Sequence, residues 1–250
     1  MRYKIFFSIF LLFLFSCSSD KEKHEAKYYY DLAVGEMVKG NFYSAEDNLE
    51  TIESDHPYSD YSDRAEVLLG FLQYLTEEYD DAVTSAEKFI KLRPANKYVD
   101  YMYFLRAESY YKSRSDYLRE QDKARQAKNS YMQLISRFAE KKYTGYSLKL
   151  IKQLDNELAH YNLDIGRTHL VRGEFIPAIR RFNFVIEQYP DTKFVTEARF
   201  RLVESYYSLG LIEQAKYESQ YLTKNDAKGY WGKENIKFSK KYFSVKQNAE

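Results

Sequence analysis

Apolar residues recur at helical spacing through most of the chain, and the stretch from Gly173 to Pro190, GEFIPAIRRFNFVIEQYP, shows the unit at its most regular. Ala178, Phe182, Val185, Ile186 and Tyr189 fall at i, i+4, i+7, i+8 and i+11, the single apolar stripe of a short amphipathic helix. Gly-Glu-Phe ahead of it suits a tight turn. Pro190 ends it, because proline cannot continue a helix and also restricts the residue before it. A helix this short is marginal in water and must bury its stripe against neighbours.

Equivalent turn positions at Gly40, Glu77, Asp122 and Gly210 bring four less regular copies into register. Five positions after every turn stands an alanine: Ala45, Ala82, Ala127, Ala178 and Ala215. Twelve positions after it stands a larger apolar residue: Ile52, Phe89, Leu134, Val185 and Leu222. Pro57, Pro94 and Pro190 close three of the units, with Ala139 and Ala227 in the other two. Upstream of the turns lie Leu32, Leu69, Ile165 and Leu202, followed by Ala33, Gly70, Gly166 and, as the exception, Val203. Small residues there let two antiparallel helices approach closely. The pattern predicts an all-α fold, a right-handed superhelical solenoid of about five tetratricopeptide-type helix-turn-helix repeats with a concave face.

The turn positions are spaced by 37, 45, 51 and 37 residues, so the insertions fall in the middle of the array. Helices are expected over 98–111 and 124–138, and the polar SRSDYLREQD between them, centred on 113–121, reads as an exposed loop. After the repeats, GYWGKENIKFSKKYF places Trp231, Ile236, Phe238 and Tyr242 on a last helix, whose lysines suit the polar outer side of a solenoid cap. Composition agrees with helices: there are only 9 glycines and 4 prolines, against 26 tyrosines.

The N-terminus breaks the pattern. Arg2 and Lys4 precede an apolar run from Ile5 to Phe15 that is too short to span a bilayer comfortably, which reads as a signal peptide over 1–16. Leu14-Phe15-Ser16-Cys17 resembles the bacterial lipobox, with Cys17, the only cysteine in the chain, as the residue that carries lipid. Ser18-Ser19 after it resembles lipoproteins sent to the outer membrane. The alternative is an ordinary secretory signal with an incidental cysteine. The expected organisation is a signal peptide (1–16), a flexible tether (17–26), a repeat domain (27–230) and a C-terminal capping helix and tail (231–250). The formal charge of +1 becomes −1 once Arg2 and Lys4 are removed, and this near-neutral balance speaks against nucleic acid as the main partner.

No catalytic constellation can be assembled. The chain has no second cysteine for a thiolate metal site, no His-Glu-x-x-His, and no glycine-rich phosphate loop. His160 and His169 share a helix but stand more than two turns apart. The acidic run around Glu77 and Asp80 lies at a helix start, where the helix dipole explains it. An enzyme is not expected, nor a cofactor beyond covalent lipid on Cys17.

Two surfaces invite binding. On YVDYMYFLRAESYY (98–111), Asp100, Tyr103 and Ala107 lie along one side and Tyr101, Leu105 and Glu108 along another, more aromatic surface than one core contact needs. Packing between adjacent repeats accounts for most of these tyrosines, but not for Asp100 and Arg106. Arg167, Arg172, Arg180, Arg181, Arg199 and Arg201 form a basic set in the last two repeats, either a solvated face or an interface that pairs with carboxylates.

FIKLRPANKYVDYMYFLRAESYY (89–111) and HPYSDYSDRA (56–65) resemble the BamD family, the tetratricopeptide lipoproteins of the outer-membrane β-barrel assembly machinery. ARQAKNSYMQLISRF, LAHYNLDIGRTHLVRGEFIPAI and QYPDTKFVTEA follow in order and spacing, so that the resemblance covers roughly 27–222. The 113–121 loop is shorter than the family's insertion, and the tail after Leu222 differs. The resemblance implies a non-enzymatic scaffold on the periplasmic face of the outer membrane, anchored through lipid. Its partners would be the barrel subunit of the machinery, accessory lipoproteins and unfolded outer-membrane proteins, whose C-terminal strand the N-terminal repeats would receive. It further implies Tyr61, Asp100, Tyr101 and Arg106 as substrate-facing, and Arg172, Arg180 and Arg199 as facing the barrel subunit. A general tetratricopeptide adaptor at peptidoglycan or a division complex is the alternative. A glycan-binding uptake lipoprotein would need large insertions for which this chain has no room.

Overall fold

A computed structural model describes residues 24–115, 119, 121–139 and 142–243. The expected signal peptide, Cys17, most of the tether, part of the 113–121 loop and the last seven residues lie outside the described residues. Those described form eleven helices and no strand. They follow in order as α1 (Ala26–Lys39), α2 (Phe42–Asp55), α3 (Ser62–Leu75), α4 (Tyr79–Leu92), α5 (Val99–Lys112), α6 (Asp122–Arg137), α7 (Thr144–Val171), α8 (Phe175–Gln188), α9 (Val195–Ser208) and α10 (Ile212–Asn225), and α1 packs on α2, α5 on α6, α7 on α8 and α9 on α10. A final helix, α11 (Tyr230–Tyr242), closes the series. The chain divides into two compact units, Met1–Leu69 and Gly70–Glu250, with the division inside α3. In the second unit each helix from α4 to α11 packs on the next in order, the arrangement of a tetratricopeptide-type solenoid.

The repeat columns explain the packing. All five alanines, Ala45, Ala82, Ala127, Ala178 and Ala215, have 0% exposure, and Ile52, Phe89, Leu134, Val185 and Leu222 are buried with them. Four of the five second helices are 14 residues long. All five end alike, with the residue after the helix donating its N–H to the carbonyl four positions back. On the first helices the expected column is less uniform: Leu69 and Leu202 are buried, but Leu32 is 37% exposed. No described helix precedes α1 to cover it.

The turns behave as a set, with one correction. Gly40, Gly173 and Gly210 have φ of 75–80°. Glu77 takes φ 67° at the equivalent position, although a side chain costs about 1–2 kcal/mol there. The following helix starts two residues later in each case. Asp122 is not such a turn residue: it is the first residue of α6. The loop before it replaces the tight turn, so no left-handed residue is required and α6 begins two residues earlier relative to its alanine.

The two insertions are absorbed differently. The first lengthens the α5–α6 loop. The second is helix: α7 has 28 residues, twice the length of the regular first helices, or about 42 Å at 1.5 Å per residue. Its C-terminal half pairs with α8, where Gly166 sits against Phe182. A Cβ built on Gly166 would stand 2.5 Å from Phe182 Cε1, and Phe182 is fully buried. The cap is equally specific. Trp231 stacks on Phe200 at 5.5 Å, Phe238 meets Tyr207 edge-on at 5.4 Å, and Asn235 donates to the Ser219 carbonyl at 2.9 Å. Gly232 donates its N–H to Asp226 Oδ2 at 3.1 Å, and a Cβ there would collide with the Asp226 carbonyl.

Gly166→Ala is expected to destabilise the fold by about 1–3 kcal/mol, the usual range for overpacking a rigid core. Gly145→Ala, in open space near the start of the same helix, should be neutral or slightly stabilising. Equal denaturation midpoints for the two variants would refute this account of the α7–α8 contact.

Candidate functional site

α5 carries the site. Asp100 lies in its first turn, where a carboxylate complements the helix dipole, and its Oδ1 accepts the Tyr101 N–H at 2.9 Å. Tyr101, Phe104 and Glu108 then follow at i, i+3 and i+7 on one side. Phe104 stacks on Tyr143 with ring centroids 4.3 Å apart and planes 13° from parallel, and meets Tyr146 edge-on at 5.9 Å. Tyr143 and Tyr146 come from the start of α7, so the extra length of that helix is what brings them over α5. Tyr74 enters from α3, with Tyr79 edge-on to it at 5.7 Å.

At the base of this aromatic group is a carboxylate. Glu108 is only 6% exposed and accepts a hydrogen bond from the Tyr131 hydroxyl on α6. Among the described residues no lysine, arginine or histidine forms an ion pair with it. Burial, and after it the Glu108 carboxylate, pushes Tyr74 up to about 12 and raises Tyr131 and Tyr146 above the ordinary tyrosine value. Burial raises Tyr101 strongly, with Tyr143 and Tyr74 adding to it, and Tyr143 is raised by burial and then by Asp100.

Arg106 does not join this group. It points to the other side of α5, donating to Gln133 Oε1 at 2.7 Å with Glu87 at 3.9 Å, and its side chain is 12% exposed. It also lies over Tyr103, next to a cleft lined by Met132, Gln133, Ser136 and Arg137. Tyr61 belongs to the first unit, where its ring lies 5.3 Å from Tyr30 and under Arg64. Of the four residues expected to face substrate, Asp100 and Tyr101 therefore share a surface and Arg106 takes a separate one.

The basic set divides as well. Arg167 holds Glu197 through two hydrogen bonds and also reaches Asp164, while Arg201 bridges Glu197 and Glu204. Arg181 donates to Asn162. Arg199 is 16% exposed, pairs with Glu218 at 2.6 Å and lies 3.8 Å over the Tyr221 ring. Arg172, which caps α7, and Arg180 are exposed. Neither a uniform solvated face nor a uniform free interface describes these arginines: Arg167, Arg181 and Arg199 tie one helix to another, Arg201 pairs within its own helix, and Arg172 and Arg180 are exposed.

With this geometry in view, the chain can be placed among known proteins. The family model described as YfiO, outer membrane lipoprotein, matches residues 22–221. The chain belongs to this family. Curated relatives named outer membrane protein assembly factor BamD include one from Caulobacter vibrioides, 31% identical over 210 residues, covering 84% of this chain and 69% of the relative. Another, from Rickettsia prowazekii, is 32% identical over 224 residues, covering 88% and 89%. A third, from Xylella fastidiosa, is 30% identical over 219 residues, covering 82% and 75%. The BamD resemblance read from the sequence thus holds over nearly the same span. The YfiO match ends inside α10, so α11 and its aromatic contacts lie beyond the part of the chain that matches the family. Among the described residues no helix is long and apolar enough to cross a membrane, and none of their acidic, histidine or cysteine side chains are grouped to hold a metal ion.

Sequence reasoning missed Tyr74, Tyr131, Tyr143 and Tyr146 as members of the site. The one available signal was Tyr101 and Glu108 on a common side of α5, since the remaining rings arrive from three other helices. The raised phenols predict an alkaline transition. Tyr74 moves from an ordinary value of 10.0 to about 12 on folding, so its contribution is complete below pH 10 and is lost as pH rises to about 12. Tyrosinate absorbance should show a late-titrating group whose ionisation coincides with loss of helical circular dichroism. If all tyrosines titrated together near their ordinary value with the helices intact, the cluster would not be buried as described.

Proposed function

We propose that the chain is a non-enzymatic scaffold of outer-membrane protein assembly, held at the periplasmic face of the outer membrane by lipid on Cys17. The observation that carries this reading is the aromatic surface of α5 in a chain whose relatives are named outer membrane protein assembly factors. An unfolded barrel protein presents a C-terminal strand with unpaired backbone groups and alternating aromatic side chains. A row of tyrosines offers such a strand flat apolar faces together with hydroxyls that hydrogen-bond its backbone. Tyr61 in the first unit, and Asp100, Tyr101 and Arg106 in the second, are assigned to this client.

The C-terminal repeats are assigned to the barrel subunit, with Arg172, Arg180 and Arg199 as its contacts, and accessory lipoproteins complete the assembly. Arg172 and Arg180 are free to meet a carboxylate directly, whereas Arg199 must share or release Glu218. More than one acyl chain on Cys17 gives stable anchoring, at about 0.8 kcal/mol per buried CH₂.

The test is recovery of bound proteins from detergent-solubilised envelopes. The full chain should bring down an integral barrel protein, and the R172E/R180E double variant should lose at least about tenfold of it, the scale of one or two lost charge-assisted contacts. Both substitutions lie on exposed side chains, so the circular dichroism spectrum should not change. No barrel protein with the unaltered chain would defeat the function. Undiminished recovery with the double variant would defeat only the assignment of the arginines.

A further inference from the structure

Glu108 poses a physical problem that the scaffold role leaves unsolved. A carboxylate at 6% exposure normally has a cation beside it, because burying an uncompensated charge is costly. The buried Glu197 shows how this protein meets that need elsewhere, with Arg167 and Arg201 closing on it. Glu108 instead has the Tyr131 hydroxyl and, nearby, the phenols of Tyr74 and Tyr146. Phenols stabilise a carboxylate by hydrogen bonding but bring no positive charge. Aromatic rings of α5 and α7 stand beside it. Phe104 and Tyr143 stack, Tyr146 stands edge-on to Phe104, and Tyr146 is 47% exposed. Aromatic faces around a negative centre attract a cation through their quadrupoles, and most strongly where water is partly excluded.

We propose that Glu108, with Phe104, Tyr143 and Tyr146, forms a binding site for a cationic side chain, lysine or arginine, carried by an extended client strand. The identity of the client rests on the function proposed above, and the site itself rests on the geometry of α5 and α7. In this arrangement the strand's aromatic residues lie along the tyrosine surface. Its one positive side chain lies against the half-exposed ring of Tyr146, at the edge of the Phe104–Tyr143 stack, and pairs with Glu108. The site therefore adds a requirement for charge to a surface that otherwise selects only aromatic and backbone groups, and it discriminates among strands equally rich in aromatics.

Three labelled decapeptides with alternating aromatic residues and lysine, arginine or glutamine at one central position would test the proposal by fluorescence anisotropy with the full chain in detergent. The lysine and arginine peptides should bind about tenfold more tightly than the glutamine peptide, the scale of a partly desolvated cation contact. In Glu108→Gln, which keeps an acceptor for Tyr131, that preference should fall to less than about twofold while the glutamine peptide binds as before. Tyr146→Leu changes a half-exposed ring and should also reduce the preference, so the test survives if Glu108→Gln fails to fold. Equal binding of all three peptides by the unaltered chain would overturn the cation site and leave the client-strand reading standing. That is also the result expected if the carboxyl is protonated and serves only to hold Tyr131. Binding of none of the peptides would overturn both.

Discussion

A helix of fourteen residues gains too little from its own hydrogen bonds to persist in water, so every element of this chain depends on close contact with its partner across the turn. That contact is made through the alanine column. A methyl group at Ala45, Ala82, Ala127, Ala178 and Ala215 leaves the two backbones of a pair near enough for the larger residue seven positions later to reach the next layer. Where a first helix must come closer still, as α7 does at Phe182, even the methyl group is absent and glycine takes its place. The left-handed turn follows from the same constraint. Two helices held this tightly are joined within two or three residues, one of which adopts positive φ, and Glu77 accepts that conformation where no glycine is available.

The middle of the array shows what happens when this constraint is relaxed. A longer loop before α6 removes the need for a left-handed residue, and the doubled length of α7 carries its first turns past its own partner and onto α5. Tyr143 and Tyr146 consequently reach Phe104 and the neighbourhood of Glu108. The site is thus a product of departure from the repeat: a regular fourteen-residue helix at this position would end before it arrived there. The periodic residues carry the packing, and the insertion carries the aromatic group.

The alanine column, the helix pairs, the capping helix and the family resemblance were legible in the sequence because they rest on spacing, which a periodic reading detects directly. Asp122 was misplaced because periodicity cannot distinguish a turn from a helix start when an insertion has removed the turn. Arg106 and Tyr101 were grouped by the family resemblance, which carries no geometry, and 100° per residue turns their side chains to different sides of α5. The tyrosine group was hidden for a related reason: its rings come from α3, α5, α6 and α7, and nothing in a linear pattern joins Tyr74 to Tyr146. The composition did signal it, since tyrosine is far in excess of what the repeat columns use.

Charge divides the molecule's two candidate surfaces in a way that length and hydropathy do not. In the C-terminal repeats buried carboxylate is matched by arginine: Glu197 lies between Arg167 and Arg201, and Glu218 is covered by Arg199. The Arg167–Glu197 and Arg199–Glu218 pairs tie neighbouring helices together, and Arg172 and Arg180 lie exposed outside them. On α5 the balance is reversed, with carboxylate buried among phenols and, among the described residues, no cation paired to it. A hydrogen-bonded phenol lowers the cost of that burial without bringing a positive charge. A surface that keeps such an imbalance is biased towards a positively charged ligand before any contact forms, and one whose charges are already matched is biased towards rigidity. The same helix-pair framework can therefore present a receptive face near its middle and a firm one near its end.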